Sequence, residues 1–240
     1  MKLNKDTLEK LVSNSFYEEF KIDFLYHTNY LEGSNFSKEN LKKLFNEKVV
    51  DGTYFYDDVV RSNNLINVFD MVISDCGKEI NKEMLFSWQK ELIKGTSIEN
   101  EDYFVKYENV DVDKLVNNLL INYSKIEIPS IKDIIKFHSY FEIIHPFKNN
   151  NGMISRFIIL KQCIENDVDI ISIDDKYIKE YKTALNKLKN ENDVSLLMNV
   201  FEECQNNFDL KFGKYKEIIE QTKKEIVNEL KEDLLNDLGF

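Results

Sequence analysis

The stretch HPFKNNNGMISR, His145 to Arg156, gathers residue types that are scarce elsewhere in the chain. It holds one of two prolines (Pro146), one of two arginines (Arg156) and one of three histidines (His145), and three asparagines run into Gly152. An apolar helix beginning near Gly152 or Met153 presents free backbone N–H groups and the positive end of its dipole. Glycine and asparagine just ahead of such an end make an anion cradle. Arg156, one turn further in, can fork two hydrogen bonds to a phosphate or a carboxylate. His145 can be neutral near pH 7 and accept a proton from a hydroxyl. Helix, cradle, fork and base together sketch phosphoryl or nucleotidyl transfer to a hydroxyl. The residue types alone leave a second account open: a tight proline turn with solvated asparagines, a core histidine and a surface arginine.

The elements that must position this loop read as helices. Seven glycines and two prolines in 240 residues leave long helical runs uninterrupted. Apolar residues at Leu8, Leu11, Val12, Phe16, Phe20, Phe24 and Leu25 predict one or two helices over 7–31, stopped by Gly33. Ser37 opens the next, with Glu39 in its first turn. Further helical patterns follow in DDVVRSNNLINVFDMVISD, in NKEMLFSWQKELIKG between Asn81 and Gly95, from Val112 to Tyr123, and in IKDIIKFHSYFEII after Pro129. Alternation of Tyr103, Val105 and Tyr107 with Phe104 and Lys106 predicts a short strand or hairpin in TSIENEDYFVKYENV. MISRFIILKQCIEN is apolar almost all round and predicts a buried central helix. The tail from Lys211 to Leu238 has helical spacing and either packs on the body or binds a partner; packing is the expectation.

Composition narrows the function classes. A hydrophobic content of 42% and aromatic content of 12% describe a folded chain, and 240 residues fit one large domain. The net charge of −11 argues against nucleic-acid or anionic-membrane binding, since both need a basic surface. Cys76, Cys163 and Cys204 are odd in number and widely spaced, which fits reduced thiols in a cytoplasm. Cys163 lies in an apolar run and is expected in the core. The opening MKLNKDTLEKLVSNSF lacks the apolar stretch of a signal peptide, and no segment approaches the length of a membrane span, so a cytoplasmic location is the expectation.

The loop resembles the signature of the Fic family, HPFx(D/E)GNGRxxR, in His145, Pro146, Phe147, Asn151, Gly152 and Arg156. Upstream, YHTNYLEGSNFS resembles the family's inhibitory motif, (S/T)xxxE(G/N), with Thr28, Glu32 and Gly33 in place. The hairpin-like segment stands where the family has its target-docking flap. The likeness covers roughly residues 10–208. It implies an all-α fold: one Fic-like domain over 1–240, with an inhibitory helix at about 16–33, a short β-hairpin flap at about 96–110, the signature loop at 145–156 and a C-terminal helical extension at about 209–240. The implied activity is transfer of AMP from ATP to a Ser, Thr or Tyr hydroxyl of a target protein. His145 would be the general base; Asn149, Asn150, Asn151 and Gly152 would line the phosphates; Phe147 would anchor the loop. Arg156 would hold the γ-phosphate or, in an inhibited state, pair with Glu32. The partners implied are a protein target, with the chain itself as one candidate acceptor and a homodimer as one option.

Three positions depart from the family pattern. Asn149 stands where an acid helps hold magnesium, and its amide offers oxygen without charge, so a metal site there would be weak. Asn150 replaces the first glycine, and Met153 replaces the first arginine, removing a cation from the phosphate region. Lys148 either restores some of that charge or is a solvated loop residue, the latter being the expectation. A weakened, autoinhibited AMP transferase is the leading expectation. The alternatives are a catalytically inactive nucleotide- or partner-binding regulator and a relative that transfers another phosphate-linked group.

Overall fold

The computed structural model describes residues 1–99, 105 and 110–237. Among these the chain forms eleven α-helices: α1 Lys5–Lys10, α2 Ser15–Leu31, α3 Lys38–Glu47, α4 Tyr56–Asp75, α5 Lys82–Ile93, α6 Val112–Ser124, α7 Ile131–Ile144, α8 Asn151–Glu165, α9 Ile178–Glu191, α10 Ser195–Phe212 and α11 Lys216–Asp237. The N-terminus adds an antiparallel bridge between Lys2 and Asp169. The hairpin expected across 96–110 lies, apart from a turn over 96–99 and the residues Val105 and Val110, outside the described residues. No helix of the described residues is long and apolar enough to cross a membrane.

Local chemistry sets most helix starts. Ser37 accepts from the Asn40 N–H at 3.1 Å, and Asn81 from the Met84 N–H at 2.9 Å. Asn14 separates α1 from α2 by accepting from the Phe16 N–H at 2.9 Å. Ser130 and Asp133 form a reciprocal capping box at the start of α7, satisfying two otherwise orphaned donors.

The centre of the molecule is α8, which packs on α7, α4, α2 and α5. Every residue from Met153 to Ile164 is buried, which explains why its sequence shows little amphipathic contrast. Burial on all sides includes Lys161, whose charge is met by Glu165 and by the Lys78 carbonyl at 2.7 Å. Phe20 of α2 packs on Phe69 of α4 and on Phe208 and Phe212 of α10, while Phe24 reaches Phe157 of α8. This aromatic cluster seats α2 against the central helix. Cys76, Cys163 and Cys204 are buried free thiols, each pushed up to about 12 chiefly by burial.

The tail packs on the body over its first turns only. Ile219 and Thr222 of α11 are buried, whereas Val227, Leu230 and Leu234 further along are exposed. Replacing Phe20 by Ala removes the ring that joins α2, α4 and α10. We expect a loss of about 3–5 kcal/mol in urea unfolding, in the range of large core truncations.

Candidate functional site

Two helix termini meet at the site. The first is the C-terminus of α2, where Gly33 adopts φ +86°, a left-handed conformation that glycine takes without strain. The Gly33 N–H donates to the Tyr30 carbonyl at 2.9 Å and the Ser34 N–H to the Asn29 carbonyl at 3.2 Å, a Schellman closure. The Glu32 N–H turns to Asn29, 3.1 Å away, instead of continuing the helical ladder to Thr28. The Thr28 carbonyl is thus open to a donor from elsewhere, and Glu32 stands on the last turn.

The second terminus is the start of α8. Its N-cap is Asn150, at φ +66°, and no side chain caps the first-turn N–H groups. Asparagine tolerates this left-handed conformation better than most residues, so the helix begins at Asn151, one residue ahead of the expected start. The Asn150 amide donates to Gln89 Oε1 at 3.3 Å, which steadies the turn from outside.

Arg156, one turn into α8 and 5% exposed, joins the two termini. Its Nη2 donates to Glu32 Oε1 at 2.7 Å and to the Thr28 carbonyl at 3.0 Å. Glu32 also lies over the first turn of α8: a Cβ on Gly152 would collide with Oε1 and stand 2.9 Å from Arg156 Nη1. The carboxylate therefore occupies the place where a helix N-terminus and a guanidinium both favour an anion.

His145 ends α7 in a left-handed cap, φ 50°, with its N–H bonded to the Phe141 carbonyl at 2.9 Å. The ring is half-buried, and its Nδ1 is buried without a partner. Burial, assisted by Lys189, lowers its pKa against the opposing charges of Glu142 and Glu32. Lowering favours the neutral imidazole, the form that accepts a proton. Below it, Phe147 is buried against Phe86 and Phe141. The Pro146 carbonyl accepts from the Val105 N–H at 3.0 Å.

The asparagines divide. Asn151 is buried and turned inward: its Oδ1 accepts from the Phe147 N–H at 2.9 Å and its Nδ2 donates to the Phe147 carbonyl at 2.6 Å. Its amide braces the loop, leaving backbone donors to face an anion. Asn149 and Lys148 are exposed, which gives Lys148 the solvated role expected of it. Met153 has no exposed surface and belongs to the core, so position 153 contributes no side chain to the open face of the loop. Thr28 enters the site through its carbonyl, a contact that its side-chain type does not signal. Spacing also gave no sign of His138 and Tyr181, which lie buried near Arg156.

The loop does not suit a resident divalent cation. Residues 145–156 carry no carboxylate, and Glu32, the acid beside them, is held by Arg156. Among the described residues a metal-like grouping occurs elsewhere, where His27 of α2 meets Asp174 and Asp175 just ahead of α9. Lys211 already bridges that centre, reaching Asp174 at 2.5 Å and Asp23 at 3.0 Å.

Alanine at Gly152 tests the crowding at the α8 terminus. The added methyl displaces the Glu32 carboxylate, and we expect faster amide exchange over residues 28–33 with the rest of α2 unchanged.

No protein-family model and no curated protein matches the chain; solved structures do. A Fic-domain-containing signaling protein from Bacteroides thetaiotaomicron superposes with a TM-score of 0.69 at 16% identity, covering 83% of this chain and 93% of that one. Fic-1 from C. elegans gives a TM-score of 0.69 at 12% identity over 86% of this chain and 68% of its own. A Fic family protein from Desulfovibrio desulfuricans gives 0.64 at 15% identity over 85% and 69%. The chain has the helical fold of Fic-domain proteins.

Proposed function

We propose that the chain is a transferase of the Fic kind that moves AMP from ATP to a Ser, Thr or Tyr hydroxyl of a protein, held inactive by Glu32. The observation that carries this reading is the Glu32–Arg156 pair at 2.7 Å, seated over the α8 N-terminus. A carboxylate there takes the guanidinium that a triphosphate needs, and its charge repels the γ-phosphate. The carboxylate thus acts as a competitive plug.

With Glu32 withdrawn, the uncapped backbone donors of the first α8 turn receive the phosphates and Arg156 takes the most distal one. Neutral His145 removes the proton from the acceptor hydroxyl. The hydroxyl oxygen then bonds to the α-phosphorus, and the bond to the β-phosphate oxygen breaks with pyrophosphate leaving. Fixed N–H dipoles stabilise charge on the α-phosphate as it develops. Any magnesium arrives with ATP as part of the substrate, and the neutral Asn149 side chain adds little to its hold, so the reaction is slow. The Pro146 carbonyl bonded to Val105 supports docking of an extended segment beside His145. Acceptors are a target protein or the chain itself, in a cytoplasmic setting.

The neutral Asn149 favours one competing reading, a catalytically inactive regulator that binds nucleotide or a partner protein. Mass spectrometry after incubation with ATP and magnesium separates the two. Glu32→Gly should raise AMP attachment at least about tenfold, the effect of unpairing a charged contact. His145→Ala in that background should abolish attachment with nucleotide binding kept. No AMP adduct on any protein in either form rejects the transferase. Separately, Asn149→Asp should tighten ATP binding when magnesium is present and not when it is chelated, as read by calorimetry.

A further inference from the structure

Four helices of the described residues have asparagine as their N-cap, and three of them use it in the ordinary way. An N-cap asparagine is extended, and its side-chain oxygen accepts from the N–H two or three residues on. Asn4, Asn14 and Asn81 have φ of −120°, −93° and −134°. Each accepts at 2.9 Å, from the N–H groups of Thr7, Phe16 and Met84 respectively. Asn150 does neither. Its backbone is left-handed, at φ +66°, and its side chain caps nothing.

What sets Asn150 apart is a partner on another helix. Its Nδ2 donates to Gln89 Oε1, 61 residues away in the sequence. Gln89 is 3% exposed, next to the fully buried Trp88, on a helix (α5) that packs against α8. The acceptor is therefore fixed by the core. The Asn150 carbonyl still accepts from the Ile154 N–H at 2.9 Å, so α8 itself begins as any helix does. Only the side chain is diverted. Set free, it belongs to a residue type that caps helices as well as any, and the N–H groups within its reach are those of Gly152 and Met153. A capped N–H would have to give up that bond before it could take a phosphate.

We propose that Gln89 is a positioning residue that holds the Asn150 side chain away from α8 and so keeps the first-turn N–H groups free for an anion. The anion half of this inference rests on the transferase reading above; the hold on Asn150 does not.

Gln89→Met keeps the length of the side chain and removes the amide. The tests use the chain carrying Glu32→Gly, which clears the carboxylate from the same turn. By NMR, exchange of the Gly152 or Met153 amide should slow about fivefold in Gln89→Met, the protection one cap confers. With Asn150→Gly also present there is no side chain to form the cap, and Gln89→Met should then leave these amides as they were. Unchanged exchange overturns the proposal. So does faster exchange across residues 147–154, or an equal change in both backgrounds, since a glutamine that serves packing alone gives those results. Calorimetry with magnesium reads the anion half: Gln89→Met should weaken ATP about fivefold, and only where Asn150 is retained. Equal ATP affinity overturns this half. Failure of the Glu32→Gly chain to bind ATP rejects the transferase reading and this half with it, and amide exchange still decides the hold on Asn150. Should Gln89→Met fail to fold, Asn150→Ser in the loop carries the same tests. Serine caps helices and is too short to reach Gln89, so it should slow exchange and weaken ATP alike, and parent-like exchange overturns the proposal.

Discussion

One guanidinium organises the site. Arg156 is buried in the central helix, and a buried charge is costly unless hydrogen-bonded partners surround it. Its partners come from an element far away in the sequence: the Thr28 carbonyl and the Glu32 carboxylate at the end of α2. Meeting this single requirement fixes where α2 ends relative to the start of α8. It also places a carboxylate at the positive terminus of the most buried helix, which is the position proposed for substrate phosphate.

The loop between α7 and α8 is rigid for a different reason. Two left-handed residues, His145 and Asn150, bound it, and the Asn151 amide ties both backbone polar groups of Phe147. Phe147 is in turn embedded among Phe86 and Phe141. The geometry of the loop thus depends on aromatic packing and one internal amide, with no need for a cation to shape it.

Much of this was legible in the residues because the signals are local. Gly33, Ser37, Asn81 and Pro129 mark boundaries through backbone conformation or one side-chain cap, which need no knowledge of the rest of the fold. The all-round apolar character of 153–164 likewise announced a central helix. The Glu32–Arg156 pair was foreseeable only through the family resemblance, since no spacing rule relates residues 124 apart. Other features required three dimensions. The inward turn of Asn151 depends on where the Phe147 backbone lies. Tyr181 meets His138 only because α7 and α9 are packed together. The contact at Thr28 uses a carbonyl, which every residue has, so its sequence carries no mark of it.

The double hold of Arg156 on α2 separates two things that a single salt bridge would couple. The bond to the Thr28 carbonyl anchors the helix, and the bond to Glu32 covers the position proposed for substrate phosphate. Rotation of one glutamate side chain, itself 30% exposed, breaks the second and leaves the first. Unblocking then requires a rotamer change at the protein surface and no displacement of α2. Such a hinge-free gate can open and close as fast as an exposed side chain reorients, and it exposes none of the aromatic core that seats the helix.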